Sequence, residues 1–432
     1  MRMSEKTAIN TKMKILEFAQ YAYFNGVKGF EKNDTGLGIA VSDIAKALAK
    51  DNEVYLLTHS GFGRGCIYER IHIVNKTWIN IFFNLKLKDL MLAVMLMKKL
   101  PALKDKLRIL AYFAEVGYFR KVVKTINPDI VHIENTSIET LPFLISAKME
   151  GYPCVVTNHG LAAYVRDFEM RYEHNYFEFL NEQNVLLTTV STGIKERILA
   201  EHKCVSSDKI YVVLNGFSKL KNDGVVNMPY MKNLVKESDT VFLSIGKISA
   251  RKNQKAIVSA LTKLNKKELD GLKVIFVGNG PEFENLQKQI AQNHLESNAF
   301  CLGNVDHNLM NGIYSLGDYV ISSSLDEGFG LPFIEGFSEG LPSITFSDLD
   351  AIRDIYSENA MLLVESRDVD AFAKAITIAK NLKWDKNKII QHSQKFSIEN
   401  TAKEYEKIFL GEINKKTALK RLDFMEFIKT CI

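Results

Sequence analysis

The chain has 432 residues, a length that favours two domains over one. Its 46% hydrophobic and 25% charged residues are ordinary for a folded globular protein and exclude a disordered or fibrous chain. The net charge of +5 is too mild to call for a nucleic-acid partner. In chain order, the N-terminal stretch MRMSEKTAINTKMKILEFAQ lacks the apolar run of a signal peptide. Lys14 to Ala19 reads as a first strand, followed by a glycine- and asparagine-rich loop, a helix over Ile39 to Lys50 and a strand over Glu53 to Thr58.

The segment from Lys76 to Arg108 is unusual. Lys86, Lys88, Lys98, Lys99, Lys104 and Lys106 interleave there with Trp78, Ile79, Phe82, Phe83, Leu85, Leu87 and the apolar run Leu90 to Met97. That run is far too short to span a bilayer. A basic amphipathic stretch of this kind suits an anionic membrane surface, and it equally suits a lysine-edged helix pair packed on its own domain. Further strands follow at Ile130 to Ile133, Pro153 to Thr157, Leu187 to Val190 and Ile210 to Val213. The alternation is that of an α/β domain.

After Asn215-Gly216 the pattern breaks, and residues 218–238 read as a linker. A second α/β series begins with Thr240 to Ile245 and continues at Lys273 to Val277, Tyr319 to Ser322 and Pro342 to Thr345. The expected division is therefore residues 1–217, the linker 218–238, residues 239–405 and a helical end 406–432. Two such halves leave a cleft between them, where ligands gather at the carboxyl ends of parallel strands. Five scattered cysteines (Cys66, Cys154, Cys204, Cys301, Cys431), with no Cys-x-x-Cys pair, argue against a structural zinc site and for reduced thiols in a cytoplasmic setting.

The stretch Ser323-Ser324-Leu325-Asp326-Glu327-Gly328-Phe329-Gly330-Leu331-Pro332-Phe333-Ile334-Glu335 carries the most chemistry. Two glutamates bracket a glycine-aromatic-glycine turn, and Glu335 opens a helical pattern that ends at Gly340 and Pro342. A glycine turn entering a helix offers backbone N–H groups to a phosphate. Carboxylates accept hydrogen bonds from sugar hydroxyls. Together they suggest a ligand with both a phosphate and a polyol. Gly246-Lys247-Ile248-Ser249-Ala250-Arg251-Lys252-Asn253 gathers cations at another strand end, as a diphosphate leaving group requires when no metal is present. Thr35-Gly36-Leu37-Gly38, Asn158-His159-Gly160 and Val277-Gly278-Asn279-Gly280-Pro281 each sit where a strand ends, and each alone is a weak signal.

Taken in chain order, these five motifs and Asn215-Gly216 at the domain junction resemble the retaining glycosyltransferases of family four, which have the GT-B fold of two facing Rossmann-like domains. Thr35 stands where the family usually has a glycine, and Lys247 where an arginine is commoner. The resemblance implies a nucleotide-sugar donor, UDP-linked by preference, as co-substrate and no other cofactor or metal. It implies that Glu335 holds the ribose and Glu327 the donor sugar. Gly328, Phe329, Gly330 and Leu331 would line the sugar and diphosphate through their backbone. Arg251 and Lys252, with Gly246, Lys247 and Gly278 around them, would meet the departing diphosphate. His159 would touch the sugar's C6 hydroxyl, and Gly36 and Gly38 would admit the β-phosphate and acceptor. Glu327, His159, Lys252 and Arg251 form the implied catalytic group. The acceptor would be a glycan or lipid-linked hydroxyl, with the protein in the cytoplasm, peripheral to the inner membrane face. A GDP-mannose donor, a sugar-nucleotide epimerase, a phosphorylase and a non-catalytic partner subunit of the same fold remain alternatives. Asp348-Leu349-Asp350 reads as a loop feature.

Overall fold

The computed structural model describes residues 12–31, 33, 35–98, 103–161, 167–219 and 235–415. Most of the linker and the tail beyond Lys415, with Cys431, lie outside them. The strands are β1 (Lys14–Ala19), β2 (Glu53–Thr58), β3 (Cys66–Tyr68), β4 (Ile71–Ile73), β5 (Ile130–Glu134), β6 (Cys154–Asn158), β7 (Leu186–Thr189) and β8 (Ile210–Val212) in the first domain. The second domain has β9 (Thr240–Ile245), β10 (Leu272–Val277), β11 (Ala299–Gly303), β12 (Tyr319–Ile321), β13 (Ser343–Phe346) and β14 (Met361–Val364).

The first sheet runs β3-β4-β2-β1-β5-β6-β7-β8, parallel except for the β3–β4 hairpin. The second runs β11-β10-β9-β12-β13-β14 and is parallel throughout. The expected doubly wound α/β architecture is present in both halves. Each sheet reverses its winding beside its first strand, between β1 and β5 and between β9 and β12. At such switch points the adjoining loops part and leave a crevice beyond the carboxyl ends of the strands. Strands buried on both faces must be continuously apolar, and Ile15, Leu16 and Phe18 on β1 and Phe242 and Leu243 on β9 are fully buried.

Sequence periodicity missed β3, β4, β11 and β14. All lie at or next to a sheet edge and have three to five residues, too few for a period to register. The first helix begins at Gly36, three residues before its expected start, because Thr35 caps it by accepting from Gly38 N (3.2 Å). The helix expected to open at Glu335 runs Leu331–Ser338, so Glu335 lies one turn inside it.

The chain returns to the first domain at its end. The helix Ile398–Asn414 buries Ala402, Tyr405 and Phe409 against β5 and the Gly36–Leu48 helix. Phe217 N donates to Phe396 O and Phe217 O accepts from Ile398 N, fastening both crossings together. Directly between the domains, Arg197 Nη1 reaches Asp326 and Asp350 at 2.8 Å each. Asp354 caps the Thr192–Glu201 helix through Thr192 N and Oγ1 (2.7 and 2.6 Å).

Between β4 and β5 lie the helices Trp78–Asn84, Leu87–Lys98 and Leu103–Phe113. Ile81, Ala93, Ile109 and Phe113 face the core. Trp78, Phe82, Phe83 and Leu87 point outward, 70% to 81% exposed. Lys76, counted with the basic segment, is not at the surface: it is fully buried and paired with Glu115 at 2.8 Å. No helix among the described residues is long and apolar enough to cross a membrane.

Phe409 is fully enclosed by first-domain residues. Truncating a buried aromatic leaves a cavity, so Phe409→Ala should lower the unfolding free energy by about 3–5 kcal/mol. Chemical denaturation followed by tryptophan fluorescence measures it.

Candidate functional site

Loops from the two domains meet, and most of the residues singled out from the sequence lie on them. The loop after β9 and the loop after β10 are locked together, with Gly246 N donating to Val277 O (2.9 Å) and Ile248 N to Asn279 O (3.0 Å). Gly278 sits at φ 128°, and a Cβ there would lie 2.2 Å from the Gly246 carbonyl oxygen. Its first requirement is therefore close packing of backbone on backbone.

The loop after β9 reaches across to the loop after β12. Arg251 O accepts from Leu325 N and Arg251 Nη1 donates to Asp326 O, both at 2.8 Å. Lys252 Nζ donates to Glu327 Oε1, which also accepts from Ser324 Oγ (2.8 Å). Burial works to raise the Glu327 carboxyl, but the charges of Lys252 and Arg251 outweigh it and hold the group below its usual range. Glu327 is thus a buried carboxylate beside two cations. Lys247 departs from this pattern: it is exposed, and its carbonyl accepts from Gln254 (3.1 Å).

Gly330 then turns the chain into the Leu331–Ser338 helix from the left-handed region (φ 82°), where a Cβ would strike the Phe333 ring at 2.6 Å. Phe329 is buried and packs edge-on against Phe396, so only its backbone is offered to the cleft side. Leu331 is half-buried in the first turn. Glu335 accepts from the buried Tyr314 hydroxyl at 2.5 Å. Burial raises its carboxyl, and the Asp43 charge adds to the rise. Asp43 belongs to the Gly36–Leu48 helix of the first domain and bonds Ser218. That helix therefore faces Glu335 across the cleft. Gly36 lies in its first turn with open space where a side chain would go, whereas a Cβ on Gly38 would strike Asn33 O at 2.1 Å.

His159 follows β6 and meets the loop after β12 directly: a Cβ on Gly328 would lie 2.5 Å from His159 O. Its Nε2 bonds Glu134 Oε2 at 2.6 Å, at the end of β5. Asn158 braces the turn, donating to Thr136 Oγ1 (2.5 Å) and accepting from Gly160 N (2.9 Å). Sequence reasoning missed Glu134, Tyr314, Asp43 and Arg197, and gave no role to Ser324, which lies inside the stretch it singled out. Glu134 had a signal, a carboxylate at a strand end like His159, but only the β5–β6 pairing makes them neighbours. Asp348 and Asp350 are engaged by Arg367 (2.6 Å) and Arg197.

Residues 35–218 match the family profile described as Glycosyltransferase Family 4, and residues 230–396 match that of the Glycosyl transferases group 1. The chain is 28% identical over 206 residues to the O-antigen chain mannosyltransferase RfbU of Salmonella typhimurium, a stretch covering 46% of this chain and 54% of that one. It is 22% identical over 338 residues to the poly(glycerol-phosphate) alpha-glucosyltransferase of Bacillus subtilis, covering 76% of this chain and 47% of that one. The matched stretches thus span about half the length of these two relatives. Among solved structures, a glycosyltransferase from Rickettsia africae superposes with a TM-score of 0.65 at 19% identity, covering 94% of this chain and all of that one. HepE of Anabaena, solved with UDP-glucose, superposes at 0.62 and 16% identity, covering 92% of this chain and all of that one. At that identity the likeness concerns the fold. Two profiles that together take in most of the chain, on two facing doubly wound domains, establish that it belongs to the group 1 glycosyltransferases of the GT-B fold.

Proposed function

We propose that this enzyme transfers a hexosyl unit from a nucleotide sugar, UDP-linked by preference, to a hydroxyl of a glycan or lipid-linked acceptor, with the anomeric configuration retained. The observation that carries the reading is the buried Glu327 carboxylate, paired with Lys252 and flanked by Arg251, beside the His159 turn of the opposite domain. In this reading the diphosphate takes up Lys252 and Arg251, and the sugar hydroxyls donate to Glu327. Negative charge grows on the diphosphate as the glycosidic bond breaks, and fixed cations with the N–H groups of Gly328, Phe329 and Gly330 stabilise it. Gly246, Lys247, Gly278 and Leu331 frame this pocket. Glu335 holds the ribose, and His159 contacts the sugar. Gly36 and Gly38 bring the first domain's helix N-terminus to the β-phosphate and acceptor side. The departing phosphate helps deprotonate the acceptor, with attack from the same face. A surface-polysaccharide or glycolipid acceptor is supported by the bacterial relatives, an O-antigen chain mannosyltransferase and a poly(glycerol-phosphate) alpha-glucosyltransferase. The mannosyltransferase among them keeps GDP-mannose as the second donor to test.

Glu335→Ala should chiefly weaken UDP binding, and Glu327→Ala should cut turnover more than UDP affinity. Calorimetric titration with UDP and GDP, beside donor hydrolysis rates, separates the two. Equal losses of UDP affinity would mean that this division of labour is wrong, and absence of binding to either nucleotide would point to a non-catalytic subunit.

The reaction is proposed to need no metal, because Lys252 and Arg251 supply the positive charge and Asp348 and Asp350 are already held by arginines. Turnover should survive EDTA. Loss in EDTA with recovery in manganese would overturn this.

We also propose that the outward face of Trp78, Phe82, Phe83 and Leu87, edged by Lys86, Lys104 and Lys106, rests on the anionic cytoplasmic face of a membrane. An apolar area rimmed by lysines combines burial in the interface with attraction to acidic headgroups. The protein should co-sediment with phosphatidylglycerol vesicles at low salt and less so with Phe82→Ser/Phe83→Ser. Indifference to such vesicles ends the idea.

A further inference from the structure

The first domain buries a row of ionisable groups inside its sheet. Glu17 on β1 and His132 and Glu134 on β5 are all fully buried. His132 Nδ1 lies 3.2 Å from Glu17 Oε1 and 3.7 Å from Glu134 Oε1. His132 Nε2 bonds Thr157 Oγ1 at 2.8 Å, and Thr157 in turn meets Thr188 (2.7 Å) and Tyr405 (3.1 Å). Glu134 Oε2 completes the row at His159 Nε2. Glu17 Oε2 and Glu134 Oε1 accept no hydrogen bond.

Desolvating such ions costs several kcal/mol each, and an apolar replacement of similar volume is often at least as stable. The neighbouring β1 residues Ile15, Leu16 and Phe18 supply the apolar packing a parallel strand needs. The row is therefore poorly explained by stability. What distinguishes it is where it ends, at the histidine that meets the donor-side loop.

We propose that Glu134 is a positioning residue for His159, with His132 as its buried counter-charge and Glu17 behind it. The carboxylate takes the proton on His159 Nε2 as a hydrogen bond. This fixes the ring plane and commits Nε2, leaving Nδ1 as the nitrogen available to a ligand. A hydrogen bond at one ring nitrogen selecting the tautomer at the other is general histidine chemistry.

The charges along the row agree with this assignment. Burial works to raise Glu134, but His132 and His159 outweigh it and hold it below the usual range. Burial raises Glu17, with the hydrogen bond and charge of His132 only partly opposing it. Burial would lower His132, but Glu134 and Glu17 raise it above its ordinary value. The more acidic carboxyl is thus the one facing His159. Tyr405 and Phe409, on the returning helix, cover His132 with ring centroids 4.8 and 5.1 Å away and close the row to water.

The inference rests on the proposed contact between His159 and the donor sugar, but the ring state itself is measurable without any donor. In the ligand-free protein, 15N-labelled His159 should show Nε2 protonated and Nδ1 unprotonated at neutral pH. Glu134→Gln should convert this to a mixture of tautomers. The same variant should hold UDP affinity while UDP-glucose hydrolysis falls by about 10- to 100-fold, the range expected when a supporting hydrogen bond is lost. Glu134→Asp, which keeps the charge, should recover part of the rate. An unchanged tautomer in Glu134→Gln overturns the proposal whatever the activity, and so does an unchanged rate. A shifted tautomer with UDP binding absent even in the unmodified protein would instead count against the donor reading and leave the positioning role standing. Should Glu134→Gln fail to fold, Glu17→Gln, whose carboxylate bonds His132 and does not bond His159, reads the same 15N signal. A perturbed His159 ring supports the row, and an unperturbed one removes His132 and Glu17 from it.

Discussion

A parallel strand delivers its following loop at its carboxyl end, and in this chain loops from the largely parallel sheets of both domains meet, with a Cβ on Gly328 after β12 only 2.5 Å from His159 O after β6. Everything in the site follows from that constraint. The loops after β9, β10 and β12 come from one side and the β5 and β6 ends from the other. Arg197 ties the two sides together at the loop that carries Glu327, bonding Asp326 one residue away. The crossing segments at Phe217 and Ile398 hold the domains as a pair, together with apolar side chains of both domains that belong to one core cluster.

The loop after β12 is held from three directions. Arg251 takes the Asp326 carbonyl, Arg367 takes the Ser324 and Leu325 carbonyls, and Arg197 takes the Asp326 carboxylate. Such a loop loses little freedom when a ligand binds, and preorganised groups cost no rearrangement when charge develops. The buried Glu327–Lys252 pair keeps the carboxylate charged although its surroundings would favour neutrality. Glu335 lies in a contrasting environment, with burial and Asp43 pushing it the other way. Two carboxylates eight positions apart thus differ in acidity because both are buried but only Glu327 has Lys252 and Arg251 beside it to outweigh the loss of water.

The first domain makes a comparable investment. Its Glu17–His132–Glu134 row is costly in a sheet interior, and it ends on His159. Lys76 with Glu115 is a second buried pair in the same domain, beneath the helices whose aromatic face is exposed. Both place charge where packing alone would put apolar side chains.

The amino-acid sequence by itself determined the architecture and most of the cleft. Apolar runs such as Val241 to Leu243 and Val274 to Phe276 announce buried parallel strands, because a strand covered on both faces has no polar side to show. Glycines at Gly278 and Gly330 mark turns that other residues would clash in or strain, and the Glu327–Glu335 spacing is local enough to read directly. Short strands at or near the sheet edges, β3, β4, β11 and β14, carried too few residues to show a period. Pairings distant in sequence were decided only by the tertiary structure: Lys252 with Glu327, Glu134 with His159, Arg197 with Asp326 and Asp43 near Glu335. The same holds for Lys76, which counts as a surface charge until Glu115 encloses it. A charge's meaning depends on its neighbours and its distance from water, and both are set by strand order and domain docking, not by position along the chain.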